Sequence, residues 1–261
     1  MSLDEPILLH ERDARGVHTL TLNTPKAFNA LSEAMLAALS AELQAIAADG
    51  TARVLVIAAA GKAFCAGHNL KEMKAHPTLD YYQQLFAQCS RMMMQLQKLP
   101  VPVIARVQGL ATAAGCQLVA QCDLAVAVQE AKFGVNGIDV GLFCATPSVP
   151  LVRNMHAKQA MEMLLTGGFI SAAEAQARGL VNRVCSVDQL DAQVDELVNA
   201  ILAKPREAVR IGKALFYQQR EMGIAAAYQL AGQTMACNMV HDVAQEGVQA
   251  FIDKRTPTWR A

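Results

Sequence analysis

Apolar positions follow two alternating rhythms through the first half of the chain, and one rhythm after that. Apolar runs at residues 7–11 and 17–22, split by a polar turn signal from Asp13 to Gly16, predict a β-hairpin. Ser32 precedes Met35, Leu36, Leu39, Leu43 and Ile46, whose helical spacing predicts a helix capped by that serine. Residues 53–59 (RVLVIAA) are continuously apolar, as in a strand covered on both faces. A glycine-flanked loop over 61–70 leads to a long helical stretch over 78–98, which Pro100 and Pro102 end. Residues 103–107 and 122–128 (CDLAVAV) repeat the buried-strand pattern around a small-residue segment, 109–115, in which a short helix starts. Three such runs separated by helical segments imply parallel strands joined by crossovers.

After about Pro147, helical spacing dominates, over 157–165, 171–177, 187–203, 205–217, 224–239 and 242–254. The chain therefore reads as an α/β body, residues 1–200, followed by a helical region, 201–261, with no linker long enough to free it. Helices unable to bury an apolar face within their own domain bury it against another subunit, so a homo-oligomer is expected.

Composition narrows the class. Of 261 residues, 53% are hydrophobic, enough for a large core. Lys plus Arg (23) balances Asp plus Glu (23), which argues against nucleic acid or an anionic membrane as the main partner. Seven cysteines without a Cys-x-x-Cys pair, and six scattered histidines, suggest neither a disulfide framework nor a metal site; a reduced, cytoplasmic chain is expected. The opening MSLDEPILLHERD lacks the apolar stretch of a signal peptide. The most apolar segment, 109–128, is interrupted by Gln117, Gln121 and Asp123, so it does not read as a membrane span.

Four segments carry a resemblance. Residues 62–73 (KAFCAGHNLKEM), 107–123 (VQGLATAAGCQLVAQCD), 133–142 (FGVNGIDVGL) and 172–184 (AAEAQARGLVNRV), in this order, resemble the enoyl-CoA hydratase/isomerase (crotonase) superfamily. The likeness runs from about Thr19 to Arg255. Within it, LATAAGCQLVA and VGLFCATP look like the branch called enoyl-CoA hydratase domain-containing protein 3. The resemblance implies a crotonase-like spiral of ββα units with a C-terminal helical trimerisation region, and a trimer or dimer of trimers. It implies no permanently bound cofactor, and a coenzyme A thioester as substrate or ligand.

By the same resemblance, the backbone N–H groups of His68 and Ala114 would form an oxyanion hole for the thioester carbonyl. Each such donor contributes about 2.7–4 kcal/mol in well-studied cases. Small neighbours, Ala66, Gly67, Ala113 and Gly115, would let the thioester approach the main chain. The family usually has three glycines where this chain has Ala113-Ala114-Gly115, and the alanines suffice if the backbone there needs no positive φ. Lys62, Ala63, Cys65, Ala66, Leu70 and Lys71 would border coenzyme A, and Lys254 in the last helix would reach a phosphate.

The catalytic positions are where the chain departs. The two glutamates of the hydratases fall on Gln117 and Gly137, and neither residue can exchange a proton. Gln117 could still position a water. Asp139, Glu72 and Glu162 are nominal carboxylates, with Asp139 as readily a turn residue, and Cys116 a nucleophile only if its thiolate were stabilised. The resemblance thus implies a nominal hydratase or isomerase of fatty-acid metabolism without its usual acid and base. A non-catalytic acyl-CoA-binding or regulatory protein and a weak thioesterase are the alternatives.

Overall fold

A computed structural model describes residues 5–259. Among these described residues, ten strands make two sheets: β1 (Leu8–Arg12), β2 (Val17–Leu22), β3 (Val54–Ala59), β4 (Ala63–Cys65), β5 (Val103–Val107), β6 (Leu110–Thr112), β7 (Leu124–Val128), β8 (Lys132–Gly134), β9 (Ile170–Ser171) and β10 (Arg183–Cys185). The larger sheet runs β1-β2-β3-β5-β7-β10, and the smaller β4-β6-β8-β9. The β1–β2 hairpin is antiparallel, and every later pair in the larger sheet is parallel. Each buried strand is followed within a few residues by a short strand of the second sheet: β3 by β4, β5 by β6, β7 by β8. That stepping between two sheets is the ββα spiral.

The hydrophobic pattern accounts for the larger sheet except β10. All six side chains of β3 are buried, as its unbroken apolar run requires. The hairpin turns where expected: the Asp13 carboxylate accepts from the N–H groups of Arg15 (2.8 Å) and Val17 (3.0 Å). Helix α1 (Glu33–Ala48) starts at Ser32, whose hydroxyl accepts from Met35 N–H (3.1 Å), and it buries the five apolar residues its spacing selected. Helices α2 (Leu70–Ala75), α3 (Leu79–Lys98), α4 (Ala114–Gln121), α5 (Ala145–Asn154), α6 (Ala157–Thr166) and α7 (Ala172–Ala177) complete the body.

The C-terminal part differs in detail from the periodic pattern. Residues 187–189 form a 3-10 turn, and α8 proper is Leu190–Leu202. Then come α9 (Arg206–Gln219), α10 (Ile224–Met239) and α11 (Asp242–Ile252). Lys254, expected inside the last helix, lies past its end with φ +56°. Helix α9 is fixed to the body through Lys213, whose Nζ donates to the carbonyls of Leu96 (2.8 Å) and Val101 (2.9 Å) and pairs with Asp123 (2.7 Å). Asp123 also accepts from Val103 N–H and Tyr217 O–H, both at 2.7 Å, so the expected strand anchor serves the tail as well. Helices α10 and α11 leave Ile224, Tyr228, Met235 and Phe251 largely exposed. Among the described residues, no helix is long and apolar enough to cross a membrane.

A titratable chain crosses the hairpin. His10 Nε2 and His18 Nδ1 lie 2.9 Å apart, with Glu42 2.8 Å from His10 Nδ1 and Asp49 3.1 Å from His18 Nε2. Burial, reinforced by His10, holds His18 below its ordinary value despite Asp49. The fold therefore favours neutral His18, and the unfolded chain takes up the proton first. This contribution to stability is complete above the ordinary histidine value and is lost as pH falls below it. Thermal unfolding is expected to show a falling midpoint between about pH 7 and about pH 5, with a shallower fall in His18→Gln. An equal slope in that variant would assign the effect elsewhere.

Candidate functional site

Two stretches of the small sheet build the site. In β4 and β6, Cys65 pairs with Ala111. Beyond these strands the two stretches stay side by side: a Cβ on Gly67 would stand 3.2 Å from Ala114 N, and His68 and Ala114 line one cavity. The first stretch is stapled to the loop before α1: Ala66 N–H donates to Phe28 carbonyl (3.0 Å), and Leu31 N–H to Gly67 carbonyl (2.8 Å). Fully buried Asn29, at φ +54°, donates through Nδ2 to the carbonyls of Ala60 and Ala63, each at 2.8 Å. The second stretch is held by Ala113 N–H donating to Gly134 carbonyl (2.9 Å).

Close backbone approach explains the small residues. A Cβ on Gly115 would sit 2.1 Å from Cys65 carbonyl oxygen, and one on Gly67 2.8 Å from Ala113 Cβ. Gly67 also needs φ +89°, which glycine adopts without strain. At the three-residue segment the structure corrects the expectation. Ala113 has φ +50° and ψ −122°, so the backbone does demand a positive φ, and this chain meets it with an alanine. Such a residue stores about 1–3 kcal/mol of strain. Ala113→Gly is therefore expected to raise stability by about 1 kcal/mol, after the conformational entropy glycine costs. Urea unfolding checks this, and a destabilised variant would show the alanine to be relaxed.

His68 and Ala114 border a cavity of about 280 Å³ between the 66–73 stretch, β6, and the 136–147 loop. Neither N–H has an acceptor among the described residues. Apolar groups dominate the wall, among them Leu70, Met73, Phe86, Leu142 and Phe143, while His68, Thr112, Asn136 and Thr146 supply its polarity. No Asp or Glu side chain lies among the lining residues. Two unpaired N–H donors beside an apolar space favour an acceptor oxygen there, since burying them unmet is costly.

The titratable groups of the wall are held neutral. Burial lowers the His68 imidazole, which sits edge-on to Phe86 at 5.5 Å, with Nδ1 3.4 Å from Leu31 carbonyl. Burial raises the Cys144 thiol, whose sulfur accepts from Gly137 N–H at 3.3 Å. Cys65 and Cys116 are fully buried, each pushed up to about 12 by desolvation, so Cys116 offers no thiolate near neutral pH.

The other sequence-selected residues divide. Ala66 and Leu70 line the cavity with His68 and Ala114. Gln117 does not; it is buried on α4 with Oε1 unpartnered among the described residues. Gly137 does line it, but a Cβ there would stand 2.4 Å from Leu142 carbonyl oxygen and 2.8 Å from Cys144 sulfur. Ala63 and Cys65 are buried in β4, and Lys62, Lys71 and Lys254 are exposed and outside the lining. Glu72 accepts from Glu33 N–H (3.2 Å), Glu162 pairs with Arg178 (3.3 Å), and the Asp139 carboxylate lies against Gly167. None of these three carboxylates lines the cavity. Sequence reasoning missed Asn29, legible only as an asparagine suited to a left-handed turn, and the Thr112–Asn136 pair, whose contact joins the end of β6 to the 3-10 turn after β8. A larger groove of about 630 Å³ contains Arg15 and Arg106, which are already paired with Asp13, Asp195 and Asp191.

The model of the family described as "Enoyl-CoA hydratase/isomerase" matches residues 12–261. The chain belongs to the enoyl-CoA hydratase/isomerase family. Among its similar relatives is the rat (Rattus norvegicus) mitochondrial enoyl-CoA hydratase domain-containing protein 3, 43% identical over 98% of this chain and 85% of the relative. The human (Homo sapiens) counterpart is 42% identical over 98% of this chain and 84% of its own length. A crystal structure of an enoyl-CoA hydratase from Mycobacterium smegmatis superposes with a TM-score of 0.97 at 60% identity, covering 98% of this chain and all of that one. The human domain-containing protein 3 structure gives 0.93 at 42% identity, over 97% of this chain and all of its own. These agreements show the crotonase fold, and the branch read from the sequence is among the relatives found.

Proposed function

We propose that this family member binds an acyl-coenzyme A thioester in the 280 Å³ cavity and polarises its carbonyl through the N–H groups of His68 and Ala114. The observation that carries the reading is that both groups border one mostly apolar cavity and lack an acceptor among the described residues. In such surroundings, fixed N–H dipoles stabilise charge on a thioester oxygen without reorganising. Neutral His68 and Cys144 leave the carbonyl facing no competing charge.

Paired-carboxylate hydration is not the chemistry assigned. Gln117 and Gly137 occupy the positions where the resemblance places the two glutamates, and no carboxylate lines the cavity. The Gly137 backbone sits too close to Leu142 to take a side chain unaltered. Lys62, Lys71 and Lys254 are assigned to the phosphates, and their exposure makes that contribution small and salt-sensitive. The exposed apolar residues of α10 and α11 are assigned to contacts between subunits of a trimer or dimer of trimers.

Calorimetric titration with acetyl-CoA, paired with crotonyl-CoA absorbance at high protein concentration, tests the function. Saturable binding with hydration near the uncatalysed rate is expected. Fast hydration abolished by Gln117→Ala would instead give that amide a water-positioning role, and thioester cleavage would favour a thioesterase. Absence of binding would remove the coenzyme A reading.

A further inference from the structure

Away from the cavity, two arginines meet without an acid. Arg53 immediately precedes β3, and Arg206 is the first residue of α9. Arg53 Nη2 donates to the carbonyls of Leu202 (3.1 Å) and Lys204 (2.9 Å), and Arg206 Nη1 donates back to the Gly50 carbonyl. Both guanidiniums therefore lie in one seam, between residues 50–53 and 202–206. Elsewhere Arg12, Arg15, Arg106, Arg183 and Arg210 each pair with a carboxylate. In the seam, neither arginine has an acidic partner among the described residues.

Like charges held in one seam repel, and little in the chain offsets it. Burial, and then the charge of Arg206, pull the Arg53 guanidinium below its ordinary value. Arg206 Nε is buried without an acceptor among the described residues, so that guanidinium is incompletely satisfied. Pro205 gives α9 no side-chain cap, and the first N–H groups of the helix add positive potential beside Arg206. The acids next in sequence are engaged. Arg210 holds both oxygens of Glu207, while Asp49 accepts from Thr51 and pairs with Arg12 and His18. Space is open at the Gly50 turn, where an added Cβ would meet nothing within 4 Å.

We propose that Arg53 and Arg206 form a second ligand site, separate from the acyl cavity, that takes the phosphate group of a small soluble molecule. A phosphate monoester carries a charge of about −1.5 to −2 near pH 7, which matches two guanidiniums. Its oxygens also suit the forked N–H groups that the carbonyl clamps leave unused. Bound between the arginines, the dianion replaces their repulsion with two attractions. The seam adjoins the start of β3, whereas the chain reaches the cavity beyond the other end of that strand, through β4. The inference therefore does not depend on the acyl-CoA reading.

The test is calorimetric titration of the full chain at low ionic strength with inorganic phosphate and with AMP. Saturable binding is expected, tighter for AMP if the group arrives on an ester and tighter for phosphate if it arrives free. Arg53→Gln and Arg206→Gln are each expected to weaken binding about tenfold or more, the loss of charge-assisted hydrogen bonds. Arg53→Lys, which keeps the charge without the fork, is expected to give a smaller loss and serves if a glutamine variant does not fold. Exposed Arg91 on α3 is the control, and Arg91→Gln is expected to leave the affinity unchanged. Saturating acetyl-CoA is expected to leave it unchanged as well. A native chain that binds neither probe overturns the proposal. So does binding that Arg91→Gln weakens as much as Arg206→Gln, or that acetyl-CoA displaces.

Discussion

Asp123→Ala is expected to lower the unfolding free energy by about 3–5 kcal/mol, as found when one partner of a buried ion pair is removed. The carboxylate meets three donors: Val103 N–H, Tyr217 O–H and the Lys213 ammonium. Lys213 is the decisive one. Its side chain is only 7% exposed, and burial already pulls its pKa down against the attraction of Asp123. Without the carboxylate, the ammonium must lose its proton or remain charged among the Leu96 and Val101 carbonyls. Urea unfolding of Asp123→Ala, Lys213→Met and the double variant separates the pair from its surroundings. The double variant is expected to be more stable than Asp123→Ala alone. Equal stability would mean that Lys213 finds another partner or water.

Gly115→Ala is the second large effect, with an expected cost of at least about 3 kcal/mol, the upper end for overpacking. The added methyl would meet Cys65 carbonyl oxygen at 2.1 Å, and its carbonyl carbon and Cβ at 2.7 and 2.8 Å. Two of these obstacles are backbone, so no rotamer change relieves them. Relief requires α4 to move away from β4, which separates the N–H of Ala114 from that of His68. Acetyl-CoA binding should therefore fall more than stability alone accounts for. A folded Gly115→Ala chain with native affinity would show that the two N–H groups do not act together.

The inner strands β3, β5 and β7 were legible because they are buried on both faces, and RVLVIAA or CDLAVAV leave little choice of element, whereas the edge strand β10 was not read. The helix after Ser32 was equally plain, since its cap and spacing are local. Most of the second sheet was not. Strands such as 63–65 and 170–171 are two or three residues long, too short for a period-2 pattern, and they exist because neighbours present unpaired edges. At the site, family resemblance picked out the His68 and Ala114 stretches, and both reach the cavity. Local geometry stayed hidden. The positive φ of Ala113 breaks the usual preference of alanine, and nothing in the letters signals it. Gln117 illustrates the opposite limit, because its place in a motif did not reveal that its side chain lies off the cavity wall.

Carbonyl polarisation is read most directly by infrared difference spectroscopy of acetyl-CoA labelled with carbon-13 at the thioester carbonyl, free and bound. A carbonyl stretch at lower frequency is expected in the complex, because two N–H donors draw electron density onto the oxygen. A bound ester whose carbonyl absorbs at the frequency of the free ester would contradict it, however tightly the coenzyme is held.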